Sequence, residues 1–275
     1  MKGLRIARRA LLYAVLAAGG VLMAWPFFWM LGTAFKDLAD AMRPAVWPWP
    51  RQWRWGNLYA IFETTPFGRY FLNSFFVAGM VTLGVAFTSL TAGYAFARLR
   101  FRGRDALFTL VLATMMVPFE LTLIPNYVLI SRLGWYNTYA ALIVPWCANA
   151  FSIFLMRQAF LGLPDDFFDA AKVDGCGHLR FLARIAAPLA KPALATVALF
   201  AFLGSYNALL WPLIVTAEES MRVVQVGLTY FQGDEGVQMH LLMCATAVVI
   251  FPTVALYFAA QRYFVDAALG AGIKG

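Results

Sequence analysis

Charge is scarce in this sequence: Asp, Glu, Lys and Arg make up 13% of the 275 residues, against 62% hydrophobic ones. Soluble domains carry about 25% charged and about 45–50% apolar residues, so a water-soluble globule is excluded by the apolar surface it would expose. Disorder is excluded by the same figures, because a disordered chain is poor in apolar residues and rich in charge. Cysteine is sparse as well. Cys147, Cys176 and Cys244 show neither pairing nor metal spacing, so no disulfide framework is expected, and the two within apolar runs read as small hydrophobes. The chain lacks a Gly-x-x-x-x-Gly-Lys-Ser/Thr loop that could cradle ATP phosphates, and it has no zinc-type His/Glu spacing and no nucleophile elbow. No plausible triad appears either, and its two histidines, His178 and His240, are far apart in the chain and in predicted side. The expectation is a chain with no catalytic residues, no metal and no bound cofactor of its own.

Long apolar runs are what the sequence does have. A helix needs roughly 20 such residues to cross about 30 Å of hydrocarbon. Six candidates meet that length: Leu11–Phe35, Tyr70–Phe96, Ala106–Ile130, Tyr139–Phe160, Ala193–Thr216 and His240–Ala260. The first follows Lys2, Arg5, Arg8 and Arg9 like a signal peptide. It is too long for one and further spans follow, so it is expected to be retained. The reading is an all-α integral membrane protein with six transmembrane helices: an N-terminal stretch 1–10, a spanning domain 11–265 and a tail 266–275.

The net charge of +8 does not point to nucleic acid, because the basic residues fall in short clusters between apolar runs. Lys2, Arg5, Arg8, Arg9, Arg98, Arg100, Arg102, Arg104, Arg157, Lys172, Arg180, Arg184, Lys191, Arg262 and Lys274 all fall on one side, fifteen of the 22. The positive-inside rule then places both termini in the cytoplasm. It makes 36–69 an external loop, whose Trp47, Trp49, Trp53 and Trp55 suit either the membrane–water interface or contact with a partner. Within the spans, Pro26, Pro118, Pro125, Pro145, Pro212 and Pro252 predict kinks. Glu120, Asn126, Asn149, Ser205 and Asn207 sit at membrane depth, where a carboxylate is costly. Glu120 should therefore face a neighbouring helix or a watery cavity, and the Asn and Ser residues either line a path or bond between helices.

The cytoplasmic loop 161–192 is the most informative stretch. Asp165, after Pro164, is placed to cap a short helix whose positive end suits Asp166 and Asp169. Gly175 can end that helix at positive φ, and a second helix leads from about Cys176 into the fifth span. The result is a short helix, with small Ala170 and Ala171 and bulky Phe167 and Phe168, held between two spans. It either docks into a groove on a soluble partner or rests its rings on the bilayer.

Asp169-Ala170-Ala171, then Gly175, then Ile185-x-Ala187-Pro188 resembles the EAA motif of permease subunits of binding-protein-dependent ABC importers, with Asp169 for the usual Glu and Ala187 for the usual Leu. Around it, Tyr70-Phe71-Leu72-Asn73-Ser74, Tyr94-Ala95-Phe96-Ala97-Arg98, Gly204-Ser205-Tyr206-Asn207 with Leu210-Trp211-Pro212-Leu213, and Gly270–Gly275 are similar to the MalG-like carbohydrate branch, in the same order. The resemblance implies the type I ABC importer permease fold in a bacterial or archaeal cytoplasmic membrane. It implies a second, MalF-like permease subunit, two cytoplasmic ATPase subunits that bind ATP and Mg, and an extracytoplasmic solute-binding protein. It also implies that Asp169, Ala170, Ala171 and Gly175 couple this chain to the ATPase, with Phe167 and Phe168 as packing anchors, and that the Gly270–Gly275 tail reaches the ATPase. Glu120, Asn126, Trp146, Asn149, Tyr206, Asn207 and Trp211 have the types and predicted depth to meet a sugar. The expected solute is a sugar or oligosaccharide, with glycerol 3-phosphate as the alternative. A secondary transporter is a third reading, for which only Glu120 offers a buried charge and no repeat of the halves is found.

Overall fold

The computed structural model describes the backbone of residues 2–43, 47–233 and 236–272, and the side-chain surroundings of 6–43, 47–233, 236–258 and 261. Among the described residues there is no strand, and helices follow one another along them. The end of the tail, 273–275, and the side chains of 262–272 lie outside the described residues. By internal packing the chain falls into two compact units, one of residues 1–67 with 227–252, the other of 68–226 with 253–275.

In the first unit, α1 (Lys2–Ala34) is continuous over 33 residues with Pro26 inside it, so the basic N-terminal stretch is helical. At 1.5 Å per residue it is about 50 Å long, more than the hydrocarbon needs. Leu11, Leu12, Val15, Leu16, Val21, Leu22 and Met23 are exposed all around it, as suits a helix whose neighbours are lipid or another chain. After α1 the chain folds back onto the helix end. The Arg54 amide donates to Phe35 O at 2.8 Å, and the Asn57 side-chain amide donates to Ala34 O and Lys36 O, both at 2.8 Å. Phe35, Trp53 and Trp55 pack as an aromatic stack ahead of α2 (Gly56–Thr64).

The second unit begins on α3 (Phe67–Arg98), an unbroken 32-residue helix. Val77, Val81 and Val85 recur every fourth residue, which puts them on one face, and all are buried. The next three apolar segments are bent pairs. α4 (Arg104–Met116) and α5 (Phe119–Arg132) meet at 100°, α6 (Tyr139–Trp146) and α7 (Ala150–Leu161) at 41°, and α9 (His178–Leu189) and α10 (Lys191–Tyr206) at 85°, with α8 (Asp166–Val173) between the last two pairs. With α1, α3 and the helix α13 (Met239–Gly272), that gives six spans if each bent pair counts as one.

The breaks have local causes. Val117 precedes Pro118 and is driven to extended backbone, φ −85° and ψ 113°, and α5 starts immediately beyond. Pro192 sits in the first turn of α10, where its missing N–H costs nothing. Upstream of Pro188, the backbone widens into a π-helical turn over Leu182–Ala186, because the proline cannot complete the α-helical ladder. The expected third span Ala106–Ile130 is thus two half-length helices. The expected fifth span Ala193–Thr216 ends at Tyr206 and resumes only as the short α11 (Leu210–Val215). α12 (Val224–Thr229) precedes α13, which carries Pro252 without interruption.

Candidate functional site

α8 starts as the sequence suggests but not by the expected device. Asp165 occupies the cap position in helical geometry, φ −65° and ψ −27°, and its side chain makes no capping bond. Its carboxylate pairs instead with the guanidinium of Arg98 at the end of α3. At the other end, Gly175 takes φ +69°. The Gly175 amide donates to Lys172 O at 3.1 Å and the Cys176 amide to Ala171 O at 2.9 Å, the crossed pair of bonds that closes a helix through a left-handed residue.

The helix has two different faces. Ala171 is buried and Phe168 half-buried, the latter with its ring 4.4 Å from Phe181 of α9 and 3.8 Å from the Arg98 guanidinium carbon. Asp166, Asp169, Ala170 and Val173 point the other way and are exposed, Val173 at 88%. Phe167 lies on the flank, 45% exposed. Of the residues expected to meet a partner, Asp169, Ala170, Phe167 and Gly175 are therefore available at the surface. Ala171 and Phe168 anchor the helix to its own chain. The residues that seat it, Arg98 and Tyr94, were not singled out as site residues by the sequence reading. Tyr94 packs against Phe160, Phe168 and Phe181, and its hydroxyl lies 3.0 Å from His178 Nδ1.

A cavity of about 600 Å³ lies in the same unit, against Val77, Val81 and Val85 of α3. Its aromatic corner is Phe119, Trp146 and Trp211, with ring centroids 5.3–6.4 Å apart. The Trp211 indole N–H is held by Ala141 O at 2.9 Å, which fixes that ring. Ser74, Asn149, Ser152 and Ser205 supply the polar side chains, and among the described residues no charged one lines the cavity. Asn149 is tied down as the cap of α7, its Oδ1 accepting from the Ser152 amide at 3.0 Å. An apolar slot with a few hydroxyls and one carboxamide suits an uncharged solute that offers both ring faces and hydroxyls.

Of the seven candidate pathway residues, the structure brings three together here: Trp146, Asn149 and Trp211. Tyr206 is buried elsewhere, stacked on Phe202 and 5.5 Å from Phe75. Asn207 accepts a 3.3 Å bond from Gln225. Asn126 is half-buried on α5 away from the cavity. Glu120, in the first turn of α5, is exposed on this chain and reaches neither the cavity nor a helix that would shelter it.

Residues 84–268, more than half of the chain, match the family described as binding-protein-dependent transport system inner membrane component. The sn-glycerol-3-phosphate transport system permease protein UgpE of Yersinia pestis is 31% identical over 92% of this chain and 93% of its own length. The arabinooligosaccharides transport system permease protein AraQ of Halalkalibacterium halodurans is 35% identical over 79% of this chain and 78% of its own. A chain of a bacterial ABC transporter involved in the import of the acidic polysaccharide alginate shares the fold, with a TM-score of 0.81 at 22% identity, covering 94% of this chain and 96% of that one. This chain therefore belongs to the family of binding-protein-dependent transport system inner membrane components.

Proposed function

We propose that this chain is one of two permease subunits of an ATP-driven importer, paired with a MalF-like second permease, two ATPase subunits that bind ATP and Mg, and an extracytoplasmic solute-binding protein. The distribution of basic residues supports a cytoplasmic position for both termini and α8. The observation that carries the reading is the two-faced α8: its inner face is anchored through Phe168 and Ala171, and its outer face of Asp166, Asp169, Ala170 and Val173 is left uncovered. An exposed apolar valine on the same face as two carboxylates, on a helix locked at both ends, suits a groove in a soluble partner and can pass on a rigid-body motion. Asp169, Ala170, Phe167 and Gly175 would meet the ATPase, and the C-terminal tail 266–275 would reach it too.

The solute is a sugar or oligosaccharide. A cavity without a cation would leave a phosphate dianion without a counter-charge in this chain, whereas Trp146, Trp211, Asn149 and the serines suit ring faces and hydroxyls. The 31% identity to a glycerol-3-phosphate permease supports that solute as the second reading. The complex purified through this chain and reconstituted in vesicles should import sugar only with ATP and the solute-binding protein, and glycerol 3-phosphate should not compete. Uptake by this chain alone, or uptake independent of ATP, would overturn the assignment.

A further inference from the structure

α3 and α7 each send an arginine to the end of the other. Arg98, the last residue of α3, donates to a carbonyl in the last turn of α7: its Nε lies 3.1 Å and its Nη2 2.8 Å from Phe160 O. Nη2 also reaches Leu163 O, and Nη1 pairs with Asp165. All three guanidinium nitrogens are thus engaged, with the side chain only 13% exposed and its plane over the Phe168 ring. In return, Arg157 of α7 donates from Nε to Phe96 O, at the end of α3, at 3.3 Å, and lies 4.2 Å over the Phe108 ring of α4. Helix C-termini have carbonyls with acceptor capacity to spare, and here each helix end receives a permanently charged donor from the other, Phe160 O beside the Leu163 amide it also accepts.

We infer that Arg98 and Arg157 form a reciprocal clasp that makes α3, α7 and α8 move as one body, and that Arg98 is thereby a positioning residue for coupling ATP hydrolysis to transport. The inference rests on the importer reading of α8. Arg98 holds the segment entering α8 through Leu163 and Asp165, and α8 itself through Phe168. One turn earlier, Tyr94 holds the segment that leaves, through Phe181 and His178. With both connections fixed to α3, a push on α8 is not absorbed by the linkers and passes to α3. The same helix, about 20 to 30 Å further along its axis, presents Val85, Val81 and Val77 to the cavity. The clasp and the cavity wall are therefore two ends of one rod.

Were the arginines only to close helix ends, their loss would lower stability and leave the solute carried per ATP unchanged. The complete complex in vesicles, with uptake and ATP hydrolysis measured together, separates the two roles. Arg98→Gln should keep hydrolysis and lower the solute carried per ATP by about tenfold. Arg98→Lys, which keeps the charge but not the fork, should fall between that and the native ratio. Asp165→Asn should stay near native, because that carboxylate is 82% exposed. A native ratio in both Arg98 variants overturns the clasp as a coupling device, as does failure of both to assemble, which would make it an assembly device. Absence of ATP-driven uptake in the unmodified complex would instead overturn the importer reading on which the inference stands.

Discussion

The phenol of Tyr139 donates a 2.7 Å hydrogen bond to Oδ1 of Asn73. Asn73 is buried at 2% exposure and spends both amide protons on Ser220 O and Arg222 O, each at 2.8 Å, while the neighbouring Ser74 hydroxyl accepts from the Val224 amide at 2.8 Å. The far end of the same segment is held by Asn137, whose Oδ1 accepts from the Ala217 and Glu218 amides at 3.0 and 3.1 Å. Ser74 and Val223 both line the cavity, so the Tyr70–Ser74 signature fastens one cavity wall.

Asn73→Asp would turn two donors into an acceptor facing two carbonyl oxygens. Leaving those groups unpaired and buried should cost about 2–4 kcal/mol, readable as a lower unfolding midpoint in detergent. An unchanged midpoint would mean that the strap is not held by this residue.

Close packing of α3 on α7 depends on Gly93. A Cβ there would sit 2.8 Å from Met156 Cβ and 3.0 Å from the Arg157 nitrogen. Gly93→Val should force the helices apart and destabilise the chain by about 1–3 kcal/mol, again seen in the unfolding midpoint.

Much of this architecture is legible in the sequence, and the exceptions have physical reasons. Apolar runs locate the spans because lipid imposes one simple rule on composition. The breaks are harder to read, since proline has two outcomes: Pro26, Pro125 and Pro252 stay within continuous helices, whereas Pro118 and Pro192 stand at the start of new ones. Asp165 reads as a cap because its local competitors are backbone amides; an arginine 67 positions away takes the carboxylate, and charge-assisted bonds are the stronger ones. Side-chain type nominates Asn149, Tyr206 and Asn207 equally for the cavity. One step along a helix turns a residue by about 100°, so Ser205 faces the cavity and Tyr206 does not.

Gly175→Ala places a Cβ on a residue at φ +69°, which costs about 1–2 kcal/mol at the end of α8. The subunit should still insert and assemble, with ATP hydrolysis continuing while transport falls. Transport and hydrolysis that remain in native proportion would remove Gly175 from the coupling element.

Trp146 supplies an edge of the aromatic corner, 5.3 Å from Phe119 and 6.2 Å from Trp211. Trp146→Ala should raise the uptake KM by about tenfold, the loss expected when one ring contact worth about 1–1.5 kcal/mol is removed. Glu120→Gln, off the cavity, should leave KM unchanged; a marked rise would place the solute on the exposed side of α5 instead.

The central claim is that the outer face of α8 is covered by an ATPase subunit in the working complex. Maleimide labelling of Ala170→Cys, in a chain whose Cys147, Cys176 and Cys244 have been replaced, reads that face directly. Labelling from the cytoplasmic side should be fast when this chain is inserted without ATPase subunits and strongly suppressed in the assembled complex. Equal labelling rates in the two preparations would contradict the claim.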